Sequence, residues 1–189
     1  MVATSENLVL EDFGCADLTD EFLSWFDDKN LMRYFTESQK KITKEEIIST
    51  FLNPKTKRTD QHLYKIIYRA NILVGTIKII TINKTHNTGD VAVLIDKKHH
   101  LRGFGIEAVK LGSSYAINHL NFRKLFGGIY ESNLGSVRVY TKAGWKIEGR
   151  LKGYYLVNGI PEDKILISYE EVDLELQTTK DKMNFNLAY

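Results

Sequence analysis

The most constraining feature of the sequence is a junction between a strand and a helix, in the stretch IDKKHHLRGFGIEAVKLG (residues 95–112). The preceding DVAVLID is apolar on consecutive positions, which is typical of a strand covered on both faces. After the glycines, apolar or small residues recur with the 3.6-residue period of a helix that continues to about Leu120. They are Ile106, Val109, Ser113, Ala116, Ile117 and Leu120. Gly103 and Gly105 therefore lie at a strand-to-helix junction.

This junction has the properties of an anion-binding site. The first amide groups of a helix have no partner within the helix, and they lie at the positive end of its dipole. Glycines let a phosphate approach the backbone closely, and Lys97, Lys98 and Arg102 add mobile positive charge. We therefore predict a cradle for a diphosphate. The alternative is that the glycines only make a tight turn and the basic residues form a solvated loop.

A dinucleotide site is a second interpretation, because GFGIEA also matches the weak fingerprint G-x-G-x-x-A. That fingerprint places its first glycine directly at the end of the strand, whereas KKHHLR intervenes here. It also expects an acidic residue about 20 positions further on, and Glu131 lies beyond that distance. A nicotinamide site needs a mainly parallel sheet, and the hairpin signals described next favour an antiparallel one.

The remaining pattern predicts a single mixed α/β domain with a largely antiparallel central sheet flanked by helices. LVLEDF is a strand, and LTDEFLSWFDDKNLMRYF and TKEEIISTFL indicate helices, the second with a capping box formed by Thr43 and Glu46. HLYKIIYRANILVGTIKIITI predicts a hairpin broken at RAN. KLFGGIYE is a strand, and a short helix and two strands around NGIPED complete the order.

Composition excludes several classes of protein. With 26 Lys and Arg against 24 Asp and Glu, the net charge of +2 is too balanced for a dedicated nucleic-acid binder. No apolar run approaches the ~20 residues of a membrane span, and the first ten residues lack the features of a secretory signal. The single Cys15 excludes an internal disulfide and suits a reducing cytoplasm, where we expect the protein. His86, His99 and His100 show no metal-ligand spacing, so we predict no metal.

Two motifs together resemble those of a known superfamily. HLRGFG resembles the acyl-CoA-binding loop of the GNAT N-acyltransferases, Q/R-x-x-G-x-G/A, with His100 at the usual position of Gln or Arg. NLGSVRVYTKAGWKIEGRLKGYY is similar to their second motif, N-x-x-S-x-x-x-Y-x-K-x-G-F/W-x-x-E-G, in the spacing of the branch that includes the ribosomal-protein N-terminal acetyltransferases. The matching residues are Asn133, Ser136, Tyr140, Lys142, Gly144, Trp145, Glu148 and Gly149. FLSWFDDKNLMRYF looks like the opening helices of that branch, so the resemblance spans nearly the whole chain.

The resemblance implies one N-acetyltransferase domain over residues 1–189. Acceptor-side helices would occupy about residues 15–52, an acetyl-CoA-binding core about 63–172, and a tail about 173–189. Most of the pyrophosphate contacts would come from backbone amides. The residues that the resemblance places against acetyl-CoA are Ile95, His100, Leu101, Arg102, Gly103, Phe104, Gly105, Ile106, Asn133, Ser136 and Tyr140. It also implies that the Tyr140 hydroxyl lies near the thioester sulfur and protonates the departing thiolate.

The residues of the second motif also have a structural interpretation. Asn133 suits a helix N-cap, and Gly144 suits the position just beyond a helix C-terminus. Tyr140 lies mid-helix in this pattern, two turns after Asn133, where an aromatic residue is commonly part of the core. Capping and contact with a cofactor are compatible with each other.

Direct attack of an amine on acetyl-CoA needs no nucleophilic side chain, so we assign Cys15 to packing or surface. A base that removes a proton from the amine should accelerate the reaction by roughly 10²–10⁴. The candidates are Glu131, at the end of the strand before Asn133, and Asp90, at the start of DVAVLID. Each also reads as an ordinary charge at a strand end.

The acceptor is the least constrained part of the prediction. Arg33, Tyr34 and Tyr154 are candidate substrate-binding residues, together with Trp25, Phe35 and Tyr155, unless these side chains only pack helices on the sheet. Aromatic walls suit a sugar or a base, and Arg33 suits a phosphate. We therefore predict a small or nucleotide-linked amine, such as an amino sugar, rather than a peptide. Protein N-termini and polyamines are the alternatives, and a non-catalytic acyl-CoA-binding module is the alternative from another class. The sequence leaves the oligomeric state open, and a homodimer is one of the states that it allows.

Overall fold

A central β-sheet organises the protein. The computed structural model describes residues 1–35, 42–69, 71–157 and 159–170. In these ranges the sheet has eight strands, in the order β1-β2-β3-β4-β5-β6-β8-β7. The strands are β1 (Ala3–Thr4), β2 (Leu8–Asp12), β3 (Gln61–Tyr68), β4 (Ile72–Asn83), β5 (Thr88–Ile95), β6 (Lys124–Tyr130), β7 (Lys146–Val157) and β8 (Ile160–Tyr169). Every neighbouring pair is antiparallel except β5 and β6, which confirms the predicted fold class.

Helices cover both faces of the sheet. They are α1 (Asp20–Ser24), α2 (Lys44–Ile47), α3 (Phe104–Asn118) and α4 (Leu134–Lys142). Short 3-10 turns form at Cys15–Asp17, Trp25–Asp27 and Lys97–His99, and a π-helical turn, Ile48–Leu52, extends α2. A large apolar core joins the sheet to α3 and α4, and a smaller one joins the other face to α1 and α2. Within the described ranges, no helix is long and apolar enough to cross a membrane.

The alternation of side chains along β4 explains the two cores. Ile77 and Ile79 are fully buried in the large core on the α3 side. Thr76 and Lys78 point to the opposite face, as the period of two residues in a strand requires. That face packs against the smaller core and carries Lys78, which is discussed below.

The sheet opens between β5 and β6. Among the described residues these two strands pair only at Thr88 with Lys124 and at Gly89 with Leu125. Beyond that point β6 continues to pair with β8 as far as Tyr130, while β5 stays with β4. The result is a gap in the middle of the sheet, which gives side chains access to main-chain groups of β5.

The N-terminal helices are shorter than predicted. Thr19 caps α1 by accepting a hydrogen bond from the Phe22 amide at 3.1 Å. Asp28 then accepts hydrogen bonds from the amides of Asn30 (2.9 Å) and Leu31 (3.1 Å), a local turn that ends the helical path. In LTDEFLSWFDDKNLMRYF only Asp20–Ser24 and the 3-10 turn after it are helical.

Other local predictions agree with the structure. The capping box is present, since Thr43 accepts from the Glu46 amide at 3.2 Å and Glu46 accepts from the Thr43 amide at 3.2 Å. The hairpin around RAN, the helix after the glycines and the final pair of strands also form where predicted. The predicted tail, residues 173–189, lies outside the described residues.

Candidate active site

The glycine loop connects β5 to α3. Asp96 accepts a hydrogen bond from the Lys98 amide at 3.2 Å and so starts the 3-10 turn. His100 Nε2 lies 2.9 Å from the Ile95 carbonyl oxygen, which fixes the middle of the loop. This contact gives His100 a structural role within the predicted cofactor loop.

Gly103 has φ +83°, in the left-handed region that favours glycine, and it is the N-cap of α3. A Cβ built on Gly103 meets no atom within 4 Å. The backbone conformation is therefore the reason that glycine is favoured at this position. Steric crowding is not a reason, because a Cβ would have free space around it. The first amides of the 15-residue helix α3 follow directly and have no partner within the helix. A diphosphate bound at this part of the loop stays a prediction.

The charges expected beside the loop are arranged differently from the prediction. Lys97 Nζ lies 3.4 Å from Asp28 Oδ2, and Lys98 Nζ lies 2.5 Å from Glu21 Oε1. These lysines are not mobile cations, because they connect the loop to the segment around α1. Both lysine side chains are largely exposed, so each pair stabilises the fold only slightly. The Arg102 guanidinium lies 5.1 Å from the centre of the Phe104 ring.

The two sequence motifs meet where α3 approaches α4. A Cβ on Gly105 would lie 3.5 Å from the Val139 side chain, an ordinary contact. Asn133 Oδ1 accepts a hydrogen bond from the Ser136 amide at 3.1 Å and caps α4, as predicted. Gly144, with φ +98°, follows the C-terminus of this helix. The contact between Gly105 and Val139 thus brings the helix of the first motif against the helix of the second.

Tyr140 reaches the gap between β5 and β6. It lies in the last turn of α4 rather than mid-helix, and its hydroxyl donates a 2.6 Å hydrogen bond to the Val91 carbonyl oxygen. Its ring packs edge to face on Trp145, with the centroids 5.0 Å apart. Burial, and then the charge of Asp90, raise the pKa of Tyr140 above its ordinary value, so the phenol is protonated at neutral pH.

Asp90 lies at the same gap. Its Oδ1 accepts a hydrogen bond from the Val91 amide at 2.8 Å, and a Cβ on Gly127 of β6 would lie 2.7 Å from this oxygen. Glycine at 127 therefore makes room for the carboxyl group. Burial raises the pKa of Asp90 to about 6, against the opposing effects of the Val91 amide, Lys78 and Lys164. A carboxylate with such a pKa suits a general base near neutral pH.

Glu131, the other candidate base, is engaged elsewhere. Its carboxylate forms an ion pair with Arg150, whose Nε also lies 3.4 Å from Asp163 Oδ2. The Glu131 amide donates to the Asp163 carbonyl oxygen at 3.0 Å. These contacts give Glu131 a role in holding β7 and β8 to the end of β6, and they favour Asp90 as the base.

A cluster of tyrosines forms beyond the end of β6. The Tyr34 hydroxyl donates to the Ser132 carbonyl oxygen at 3.2 Å, and its ring lies 5.6 Å from that of Tyr130. Tyr130 stacks on Tyr155 with the centroids 3.7 Å apart, and Tyr155 meets Tyr154 edge to face. The sequence prediction missed Tyr130, although its position at the end of a strand beside the second motif was visible.

The candidate acceptor residues divide into two groups. Tyr34 and Tyr154 join the tyrosine cluster, and Arg33 lies over the Tyr34 ring at 5.2 Å. Trp25 is only 5% exposed and belongs to the smaller core, so the packing interpretation is correct for this residue. Cys15 is exposed, in agreement with a surface position.

A cavity of about 360 Å³ lies between α1, α2 and the face of the sheet that carries Lys78. Its walls are largely aromatic and aliphatic. Lining residues include Phe22, Phe26, Phe35, Phe51, Glu46 and Lys78. The sequence prediction missed Lys78, and only the alternation of β4 could have indicated that it faces this side. Within the described ranges, no group of three or more His, Cys, Asp and Glu residues could hold a metal ion.

The sequence is similar to a family model and to several known proteins. Residues 7–146 match the family model described as Acetyltransferase (GNAT) domain. The probable N-acetyltransferase YjcK of Bacillus subtilis is 28% identical over 167 residues, which cover 87% of this chain and 90% of that protein. The spermidine N(1)-acetyltransferase of Escherichia coli is 27% identical over 85 residues, covering 45% of this chain and 46% of that protein.

Solved structures show the same fold. Spermidine N-acetyltransferase from Vibrio cholerae, in complex with CoA and spermine, superposes with a TM-score of 0.76 at 20% identity, covering 88% of this chain and 96% of that one. A GNAT-family acetyltransferase from Bacillus anthracis gives a TM-score of 0.75 at 20% identity, covering 90% and 98%.

Proposed function

Because the chain belongs to the GNAT acetyltransferase domain family and is an acetyl-CoA-dependent acyltransferase, we propose that it acetylates the primary amine of a small molecule. The observation that carries this proposal is the meeting of Asp90 and Tyr140 in the gap between β5 and β6. The gap lies beside the glycine loop and the start of α4, which are the two parts that fit the donor.

The chemistry needs one proton acceptor and one proton donor. The amine nitrogen forms a bond to the acetyl carbon, the carbon–sulfur bond breaks, and the sulfur leaves as a thiolate. Asp90 takes a proton from the amine, directly or through a water. The Tyr140 hydroxyl gives up its hydrogen bond to the Val91 carbonyl oxygen and donates a hydrogen bond or its proton to the thiolate instead. The environments of the two groups suit these roles, because Asp90 loses its proton at about pH 6 while the phenol keeps its own.

The individual residues that contact acetyl-CoA are part of this proposal. The left-handed Gly103 and the first amides of α3 would hold the diphosphate of acetyl-CoA. His100, Leu101, Arg102, Phe104, Gly105 and Ile106 surround that position in the chain, with Ile95 before it. Asn133 and Ser136 would contribute from the start of α4, where they also form the cap.

Among the alternatives for the acceptor, the relatives favour a polyamine over the amino sugar of our main prediction. Two of the proteins compared above are named as spermidine acetyltransferases. The assignment to the branch of ribosomal-protein N-terminal acetyltransferases stays a prediction, as does a peptide acceptor. A homodimer likewise stays a prediction.

A screen of acetyl-CoA consumption tests the proposal. Release of CoA thiol is measured with polyamines, amino-sugar nucleotides, amino acids, aminoglycosides and N-terminal peptides, and calorimetry measures CoA binding. We expect CoA to bind and at least one amine to raise thiol release above the background without an acceptor. Binding of CoA without turnover of any amine would favour the non-catalytic module, and preferential binding of NAD would favour the dinucleotide site.

A further inference from the structure

The cavity beside α1 and α2 has the character of a binding site for an apolar group. Its volume of about 360 Å³ lies within the usual range for small-molecule pockets, ~300–1,000 Å³. Phe22, Phe26, Phe35 and Phe51 line it from the helical side, and Leu63 and Leu94 line it from the sheet. An aromatic or aliphatic group of a ligand would bind favourably in this cavity, because removing apolar surface from water lowers the free energy.

The described lining of the cavity carries one acidic residue, Glu46, and two basic residues, Arg58 and Lys78. Glu46 Oε2 accepts from the Thr43 amide at 3.2 Å. Arg58 is held by Asp60 through two hydrogen bonds of 2.7 and 3.0 Å. Lys78 is half-buried, and among the described residues it forms no hydrogen bond or ion pair. An ammonium that is partly removed from water is stabilised by an anion, and in the described part of the chain Lys78 has no direct hydrogen bond or ion pair to prevent it from binding a negatively charged ligand atom in addition to its electrostatic contact with Asp90.

Lys78 also lies close to the proposed base. In the register of β4 and β5, Lys78 pairs with Ala92 and Ile80 pairs with Asp90. Lys78 and Asp90 are therefore diagonal neighbours on one face of the sheet, within reach of long side chains. Their electrostatic contact is visible in the pKa of Asp90, which Lys78 lowers. The cationic Lys78, which lines the apolar cavity, therefore lies next to the carboxyl group of Asp90.

We propose that the acceptor is a zwitterionic amine of the α-amino acid class with an apolar side chain. Its carboxylate binds Lys78, its amine faces Asp90, and its side chain fills the cavity. This inference rests on the proposed function and specifies the acceptor of that same site. A polyamine such as spermidine lacks the anionic group, and its ammonium groups would meet Lys78 and, beyond Asp90, Lys164.

A matched pair of amines tests the proposal. L-Phenylalanine and 2-phenylethylamine differ only in the carboxylate, and spermidine is the polycationic comparison. We expect kcat/KM for L-phenylalanine to exceed that for 2-phenylethylamine by at least about tenfold, since hydrogen bonds between charged groups are among the stronger contacts in proteins. Lys78→Met should abolish this preference, and Lys78→Arg should keep part of it. The matched control is Lys84→Met, which removes the same charge from an exposed position at the far end of the β4–β5 hairpin.

A second measurement does not depend on turnover. 3-Phenylpropionate has the aromatic group and the carboxylate but no amine, and calorimetry in the presence of CoA measures its binding. Binding to the parent and Lys84→Met, with at least about tenfold weaker binding to Lys78→Met, supports the inference even if no amine is acetylated. Equal binding to all three, or no binding at millimolar concentration, overturns it. Faster acetylation of spermidine than of L-phenylalanine, unaffected by Lys78→Met, would also overturn it while leaving acetyl transfer intact.

Discussion

The hydroxyl of Tyr140 donates a 2.6 Å hydrogen bond to the carbonyl oxygen of Val91, across the point where β5 and β6 separate. Val91 follows Asp90, so this one contact brings the last turn of α4 to the candidate base. The same carbonyl group would pair with β6 if the sheet continued. The opening of the sheet therefore frees a main-chain group for Tyr140, and it sets the acid and the base side by side.

Replacing Tyr140 by Phe should lower kcat by about ten- to a thousandfold with little change in CoA affinity. A thiol has an ordinary pKa near 8.5, so the thiolate can leave partly unprotonated and the donor is helpful without being indispensable. The raised pKa of Tyr140 makes complete proton transfer uphill and favours the lower part of that range. Steady-state kinetics with an accepted amine, together with CoA titration, measure both quantities.

Phe keeps the ring on Trp145 and so controls for packing. The lost hydrogen bond should cost about 1–3 kcal/mol in the free energy of unfolding, because the Val91 carbonyl loses its partner. An unchanged kcat, under conditions where the chemical step limits the rate, would return Tyr140 to a purely structural role.

The activity of the parent should rise with pH through about 6, as Asp90 loses its proton and becomes able to accept one. Lys78 and Lys164 lower this pKa, while Tyr140 and Tyr155 are the phenols whose own pKa values Asp90 raises. Asp90→Asn should remove the rise near pH 6 and lower kcat/KM by roughly 10²–10⁴. Lys78→Met should move the rise to higher pH.

The pH profile of kcat/KM is the measurement, and Glu131→Gln is its control. Glu131 pairs with Arg150, so its replacement should keep the rise near pH 6 and change kcat/KM by less than about threefold. If Glu131→Gln loses the rise of kcat/KM near pH 6 and Asp90→Asn keeps it, Glu131 is the general base and Asp90 is not.

Asp90→Asn should also stabilise the protein at pH 8. The folded state holds the pKa of Asp90 at about 6, above the ordinary 3.8, so the stability contributed by the neutral acid is complete below about pH 4 and is lost as the pH rises through 6. Asn stays neutral and still offers an acceptor to the Val91 amide. We expect a gain of up to about 3 kcal/mol at pH 8 and little change at pH 4.

Denaturant unfolding at the two pH values gives these free energies. A gain of stability coupled to a loss of activity is the expected result for a buried charge kept for catalysis. Destabilisation at pH 8 would show instead that the charged carboxylate stabilises the gap between β5 and β6.

Gly103→Val should weaken CoA binding by at least about tenfold, because a β-branched residue is strained at φ +83° and its side chain would stand where a phosphate approaches. Gly105→Ala is the matched control, since its Cβ would make an ordinary 3.5 Å contact with Val139. We expect this control to bind CoA within about threefold of the parent, because the motif that HLRGFG resembles accepts Gly or Ala at this position and the added Cβ meets no close contact.

Gly103→Asn distinguishes backbone strain from steric exclusion of the phosphate. Asn tolerates the left-handed region but still carries a side chain. Calorimetric titration with CoA compares all three variants with the parent. If Gly103→Val binds CoA as tightly as the parent, the diphosphate lies elsewhere.

The sequence by itself determined the parts that depend on neighbours a few residues apart. The left-handed glycine at 103, the cap at Asn133, the capping box of Thr43 and the end of α4 before Gly144 all follow from local hydrogen bonds and allowed φ values. The order of the elements along the chain and the largely antiparallel pairing followed from alternation and turn signals. Even here the segment after α1 was misjudged, because the turn at Asp28 competes with the helix.

Tertiary structure alone decided the chemistry of the site. The bond between Tyr140 and Val91 joins residues 49 positions apart, and the pairs that hold Lys97 and Lys98 span 69 and 77 positions. The pKa of Asp90 depends on burial against Gly127 and on two lysines from other strands. Lys78 faces a cavity only because β4 alternates beneath α1 and α2. Burial and charge act through space, so the sequence could name Tyr140 and Asp90 as candidates but could not give the pKa of Asp90 or the partners of Lys97 and Lys98.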